Sequence, residues 1–95
     1  MLNIKSFAFN PFSENTYVVY NENKTAFLID PGNWNDDETS ILQNFIKSNG
    51  LKVKNIVLTH AHIDHVLGLQ WAIDTFTVPV LMHIEEQEIL DRNPL

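Results

Sequence analysis

The chain has no cysteine among its 95 residues. That excludes a disulfide framework, a cysteine-built zinc finger and a thiol nucleophile. Basic residues are also few: six Lys/Arg stand against twelve Asp/Glu, giving a net charge of −6, and Lys52 and Lys54 are the only close pair. Affinity for nucleic acid rests largely on cations that neutralise phosphates, so a nucleic-acid partner is not expected. The charge reads as a contribution to solubility. No apolar run approaches the ~20 residues of a membrane span, which argues against a membrane partner. The opening residues, Met1 to Ser6, lack the basic and then apolar blocks of a signal peptide, so a cytoplasmic location is the default expectation.

What is present suits an ordinary folded protein, with 44% hydrophobic and 19% charged residues. The length allows one domain or part of one. Leu2 and Ile4 alternate with Asn3 and Lys5, as in a half-buried strand, and Asn10-Pro11-Phe12-Ser13 breaks the pattern as a loop. Thr16 to Tyr20 and Thr25 to Asp30 are rich in β-branched and aromatic residues, and Asn21 to Lys24 forms the turn between them. Asp30-Pro31-Gly32-Asn33 has turn chemistry at every position. Ile41, Leu42, Phe45 and Ile46 then recur at helical spacing, which predicts a helix over about 39–48 with Asn49-Gly50 as its stop. The acidic run Asp36-Asp37-Glu38 favours its start through the helix dipole. A strand follows over 51–59, and Ile56-Val57-Leu58 is apolar on both faces, as in a central strand. Val66, Leu69, Ile73 and Phe76 mark one face of a second helix, on which Trp71 reads as core. Val78 to Met82 is a short strand with Pro79 near its start, and Glu85 to Leu90 begins a third helix. This order predicts an α/β or layered α+β sheet.

The chemistry concentrates in His60-Ala61-His62-Ile63-Asp64-His65. The run lies where a buried strand meets a helix, the place where open α/β sheets put their sites. On extended backbone, residues two apart point the same way, so His60 and His62 can aim at one ion. Asp64 and His65, at the turn into the helix, face another direction, which suits a second ion. Imidazole and carboxylate ligands suit zinc, iron or manganese. A zinc-bound water has a pKa lowered to about 7 and attacks at neutral pH; a second ion polarises a carbonyl or steadies a leaving group. Asp64 would be a ligand or would orient the attacking water, which makes it the candidate catalytic residue. A lone histidine beside an apolar strand is usually a satisfied core residue. Three histidines and an aspartate within six residues have no such packing role, and leaving them buried and unpaired would be costly.

Thr59-His-Ala-His-Ile-Asp-His65, followed by Val66-Leu67-Gly68, resembles the His-x-His-x-Asp-His signature of the metallo-β-lactamase superfamily. The Asn15-Thr16-Tyr17 strand and the Phe27-Leu-Ile-Asp-Pro-Gly32 turn are also similar, in the style of the glyoxalase II-like (hydroxyacylglutathione hydrolase-like) branch. The resemblance implies that His60 and His62 bind a first metal, and Asp64 and His65 a second, with one or two zinc ions or else iron or manganese. Asp30 would support the site or shape its loop, glycine at 32 and 68 would allow close backbone approach, and His83 would be structural or stand behind the ligands. Family members fold as two similar αββα halves, and residues 1–95 resemble only the first: one partial domain, a mixed sheet with helices on one face. The ligands that the second half supplies are not in this sequence, so an N-terminal half or truncated chain is expected.

The implied function is part of a metal-dependent hydrolase acting on a small-molecule thioester or ester, incomplete as a catalyst when isolated. A persulfide dioxygenase-like single-iron enzyme and a non-catalytic metal-binding or assembly module are the alternatives. Partners would be a second copy of the chain or a C-terminal half supplied in trans. An apolar patch formed by Phe7, Phe9, Phe12 and the open face of the central strand would promote self-association. Trp34, after the Asp-Pro-Gly turn, serves either as a substrate wall or as loop packing.

Overall fold

The computed structural model describes residues 1–11, 13–59 and 68–82. The predicted third helix and His83 lie outside this range. The described elements run β1 (Asn3–Phe9), β2 (Glu14–Tyr20), β3 (Thr25–Ile29), α1 (Asp36–Ser48), β4 (Lys52–Leu58), α2 (Leu69–Phe76) and β5 (Val80–Met82). They form one five-stranded sheet in the order β1-β2-β3-β4-β5. The first three strands are an antiparallel meander; β3, β4 and β5 are parallel. This is the expected mixed sheet. Its parallel half requires crossovers, and α1 and α2 supply them. Right-handed crossovers between successive neighbouring strands place both helices on the same face.

Local chemistry explains the turns. Asn21 Oδ1 accepts the N–H groups of Asn23 and Thr25, each at 3.0 Å, closing the β2–β3 turn as an Asx motif. α1 starts at Asp36, three residues before the start expected from its apolar periodicity. Asn35 caps it, its Oδ1 accepting Glu38 N–H at 2.8 Å, and three acids follow in the first turn, where the helix dipole favours negative charge. Gly50, at φ 63°, ends the helix in the left-handed region, as Asn49-Gly50 predicts.

The core lies between the sheet and the helices. Val18, Leu28 and Ile56 align across β2, β3 and β4, are fully buried, and cluster with Leu42 and Ile46 of α1 and Ala72 of α2. A register shift between Ala26 and Phe27 pairs Ala26 with Val53 but Phe27 with Asn55. This bulge allows both Val53 and Ile56 to point inward, although they are three residues apart. Trp71 is half-buried and packs edge-on against Phe76 at 5.5 Å.

The aromatic patch expected at Phe7 and Phe9 is not there. Phe9 is buried in the core and Phe7 stacks on it at 5.2 Å, while Phe45 of α1 meets Phe7 edge-on at 5.7 Å. Both rings fall on the helix-covered side because they alternate in phase with Val18 through the β1–β2 register. Phe12 lies outside the described residues. Apolar surface is exposed instead on the opposite face, where register aligns Ile4, Val19 and Phe27 in one row and Tyr17, Ile29, Val57 and Leu81 in the next. Ile4, Phe27 and Leu81 are exposed there.

Candidate metal site

The carboxyl ends of β3 and β4 lie side by side, and the turn after β3 is built around buried polar groups. Asp30 continues the parallel ladder, donating its N–H to Val57 O at 2.9 Å. It then turns into the left-handed region at φ 52°, which Asp tolerates better than most residues. Thr16, fully buried on β2, sits inside the turn. Its Oγ1 donates to Asp30 O at 2.8 Å and accepts Gly32 N–H at 2.9 Å. Replacing Thr16 with valine keeps the shape but strands both backbone groups, so unfolding in urea should report a loss of about 2 kcal/mol.

This turn holds two points of the chain that are distant in sequence from it. At the first, the buried Asp30 carboxylate accepts Thr59 N–H at 2.7 Å and also the Thr59 hydroxyl. At the second, Pro31 O accepts Gly68 N–H at 2.9 Å. Thr59 immediately precedes residues 60–67 and Gly68 immediately follows them. One turn therefore grips both flanks of the histidine run.

Asn33 tightens the second grip. It is buried, and its Nδ2 donates to Thr39 Oγ1 at 2.8 Å. Its Oδ1 is buried and has no hydrogen-bond partner among the described residues. The absence of a side chain at Gly68 makes room for it: a Cβ there would overlap Asn33 Oδ1 outright and lie 2.7 Å from its Cγ. Gly68→Ala should therefore cost about 1–3 kcal/mol, measurable by chemical denaturation, because Asn33 has to leave its place.

A further network fixes the loop outside the turn. Both Glu38 carboxylate oxygens accept Asn10 N–H, at 3.0 and 2.8 Å, and Oε1 also accepts Trp34 N–H at 2.9 Å. Asn10 Nδ2 donates to Gly32 O at 3.1 Å. The β1–β2 loop is thus tied to the turn. Trp34, on this loop, is 59% exposed.

His60, His62, Asp64, His65 and His83 lie outside the described residues, and among the described residues no group of three or more His, Cys, Asp or Glu gathers. Asp30 is described, and both its oxygens are engaged by Thr59. The residue types of the run and the features beside it fit a divalent metal: imidazole and carboxylate donors, with a buried acceptor held at the flank, Asn33 Oδ1, that has no partner among the described residues. Sequence reasoning missed Thr16, Thr59, Asn33 and Glu38 as contributors. The signal available was position: Asn33 lies in the turn and Thr59 adjoins the run, whereas Thr16 within β2 and Glu38 in the first turn of α1 carry no such mark.

Residues 9–95 match the Metallo-beta-lactamase superfamily. The chain belongs to that family. A hydroxyacylglutathione hydrolase of Francisella philomiragia is 31% identical over 77 residues, which are 81% of this chain and 28% of that protein. Among solved structures, the BLEG-1 B3 metallo-beta-lactamase superposes with a TM-score of 0.79 at 38% identity, covering 93% of this chain and 40% of its own. TTHA1623, in a di-iron-bound form, gives a TM-score of 0.74 at 31% identity, with 93% and 42% covered. The α/β fold with its mixed sheet is thus that of the family, and the chain spans less than half the length of these relatives. No described helix is long and apolar enough to cross a membrane.

Proposed function

We propose that this chain is the metal-bearing part of a metal-dependent hydrolase that cleaves a small-molecule thioester or ester. The observation that carries this reading is the double grip of the Asp30–Asn33 turn on Thr59 and Gly68. Buried hydrogen bonds spent on both flanks of a histidine-rich run serve a site whose geometry must be held closely. His60 and His62 would hold a first ion, Asp64 and His65 a second. The metal is zinc in this reading, with iron and manganese as the other candidates. When bound, it supplies a hydroxide nucleophile near neutral pH and polarises the carbonyl it faces.

The chain's own residues do the rest. Asp64 holds and orients the attacking water. Asp30 fixes the backbone at Thr59, from which the run departs, and Trp34 offers an apolar wall to the acyl substrate from a loop pinned by Glu38. The thioester preference is supported by the likeness to the hydroxyacylglutathione hydrolase. Because the chain spans a fraction of its relatives, completing the site falls to a second half, in the same polypeptide or in trans. A cytoplasmic location remains part of the proposal.

Metal analysis of the purified chain, run beside a thioester hydrolysis assay with and without added zinc, tests this. Bound metal, and turnover that disappears on chelation and returns with zinc, is the expected result once the remainder of the fold is supplied. No binding of zinc, iron or manganese would overturn the proposal and favour an assembly module. One iron per chain with oxygen consumption on a persulfide would replace it with the dioxygenase.

A further inference from the structure

Asn49 and Gly50 close α1, and Asn49 is the chain's single asparagine followed by glycine. An asparagine side chain carries an electrophilic amide carbon one ring closure away from the backbone nitrogen of the next residue. Glycine leaves that nitrogen open to approach, since it has no side chain. Gly50 is exposed, and a Cβ built on it would meet nothing within 4 Å. The fold nevertheless holds both reacting groups apart. Gly50 N–H donates to Lys47 O and Leu51 N–H to Ile46 O, each at 3.0 Å, a Schellman closure. Asn49 Nδ2 donates to Phe45 O at 2.9 Å. At ψ 1° it is the backbone nitrogen of Asn49, and not its Cβ, that is eclipsed with Gly50 N. Ring closure needs Cβ in that place, so ψ must turn far from this value, which breaks the Schellman closure.

We propose that Asn49-Gly50 is a site of spontaneous deamidation, gated by opening of the last turn of α1. Once the turn opens and Gly50 N–H gives up its proton to hydroxide, the nitrogen attacks Asn49 Cγ. The N–Cγ bond forms, the Cγ–Nδ2 bond breaks, and Nδ2 leaves as ammonia with a proton from water. Water then adds to either carbonyl of the succinimide and opens it to aspartate or isoaspartate, with no change of oxidation state. Each product removes the donor to Phe45 O and puts a carboxylate at the negative end of the helix dipole. Isoaspartate also lengthens the main chain just before Leu51 and Lys52, whose N–H groups dock on Ile46 O and Lys24 O. The damage falls at the amino end of β4, whereas the histidine run follows its carboxyl end. The inference stands independently of the metal-site reading.

The test incubates the chain, Asn49→Gln and Asn49→Asp in mildly alkaline buffer: natively, in urea below the unfolding transition, and in urea above it. Peptide mapping by mass spectrometry locates each exchange of NH2 for OH, and enzymatic isoaspartyl methylation detects the main-chain isomer. In the unfolded chain Asn49 should be the first asparagine lost. Natively its loss should be roughly 5–150-fold slower, the factor by which a few such hydrogen bonds hold a turn closed. Urea below the transition should speed it in step with hydrogen exchange of Gly50 and Leu51 N–H. Asn49→Gln, whose longer side chain closes a less favourable ring, should lose the signal from this peptide. Asn49→Asp should melt ~4–8 °C below the parent. Equal rates in the folded and unfolded chain would overturn the gate. A different asparagine lost first on unfolding, or a native chain that keeps Asn49 intact far beyond that range, would overturn the site. Unchanged melting of Asn49→Asp would overturn the claim that the product loosens α1.

Discussion

Asp30→Ala should unfold about 3–5 kcal/mol more easily than the parent, the largest of the losses tied to the turn after β3. The carboxylate receives two hydrogen bonds from Thr59 while only 5% of the residue is exposed. Hydrogen bonds to a charged group contribute about 1.5–3 kcal/mol each, and removing the acceptor leaves Thr59 N–H without a partner. Alanine must also adopt φ 52°, a region that costs non-glycine residues roughly 1–2 kcal/mol and that aspartate visits more readily. For a domain of this size each kcal/mol moves Tm by ~4–8 °C, so a fall of roughly 15 °C or more is expected in a thermal melt. Asp30→Asn separates the causes. Its Oδ1 can still accept Thr59 N–H, and its Nδ2 can donate to the Thr59 hydroxyl once that group turns to accept. Only the charge assistance is lost, about 1 kcal/mol. If asparagine proved as damaging as alanine, the carboxylate would be needed as an ion and not merely as a pair of oxygens on Thr59.

Much of this arrangement can be read from sequence, and what cannot has a physical reason. Alternation marks β1, β-branched and aromatic residues mark β2 and β3, and the apolar run Ile56-Val57-Leu58 marks β4, because each of these signals is a local property. Asn49-Gly50 marked the end of α1 for the same reason: a left-handed stop needs a residue that tolerates it. Apolar spacing places the start of α1 late, since it does not register the capping turn at Asn35. The bulge beside Ala26 was invisible. It shifts β4 by one residue relative to β3, and only pairing between strands expresses that shift. Phe7 and Phe9 read as surface in the sequence, because nothing in β1 alone says which face the helices cover.

The site divides along the same line. The histidine run announces itself through residue type and spacing, and it was the firmest feature of the sequence. Its supports do not, because each is a contact over distance: Thr16 to Asp30 spans 14 residues, Asn10 to Glu38 spans 28, and Asp30 to Thr59 spans 29. A buried threonine or asparagine acquires its role only from what the fold brings to it. The Asp-Pro-Gly-Asn turn could be recognised as a turn. That it holds both ends of the run could not.

Leu28→Ala should cost about 2–5 kcal/mol, while Phe27→Ala, one residue away on the same strand, should cost under about 1 kcal/mol. Leu28 is fully buried between Val18 and Ile56 and faces Leu42 and Ile46 of α1. Truncation there removes three heavy atoms from a closed space, and neighbours fixed in strands and helix collapse into it only partly. Phe27 points to the other face, where its ring neighbours Val19 and Asn55 in a row that no described helix covers, and it is 42% exposed. A large share of its apolar area stays in contact with water, so less burial is lost on truncation than at Leu28. The pair is therefore a test of one-sidedness, read by urea unfolding at low protein concentration. A Phe27→Ala cost that climbs toward that of Leu28, and grows with protein concentration, would mean that a second copy covers the face. A small cost that becomes large only when a C-terminal half is added would assign the same face to that half. In either case Leu28 keeps its value, because the helices that bury it belong to the chain itself.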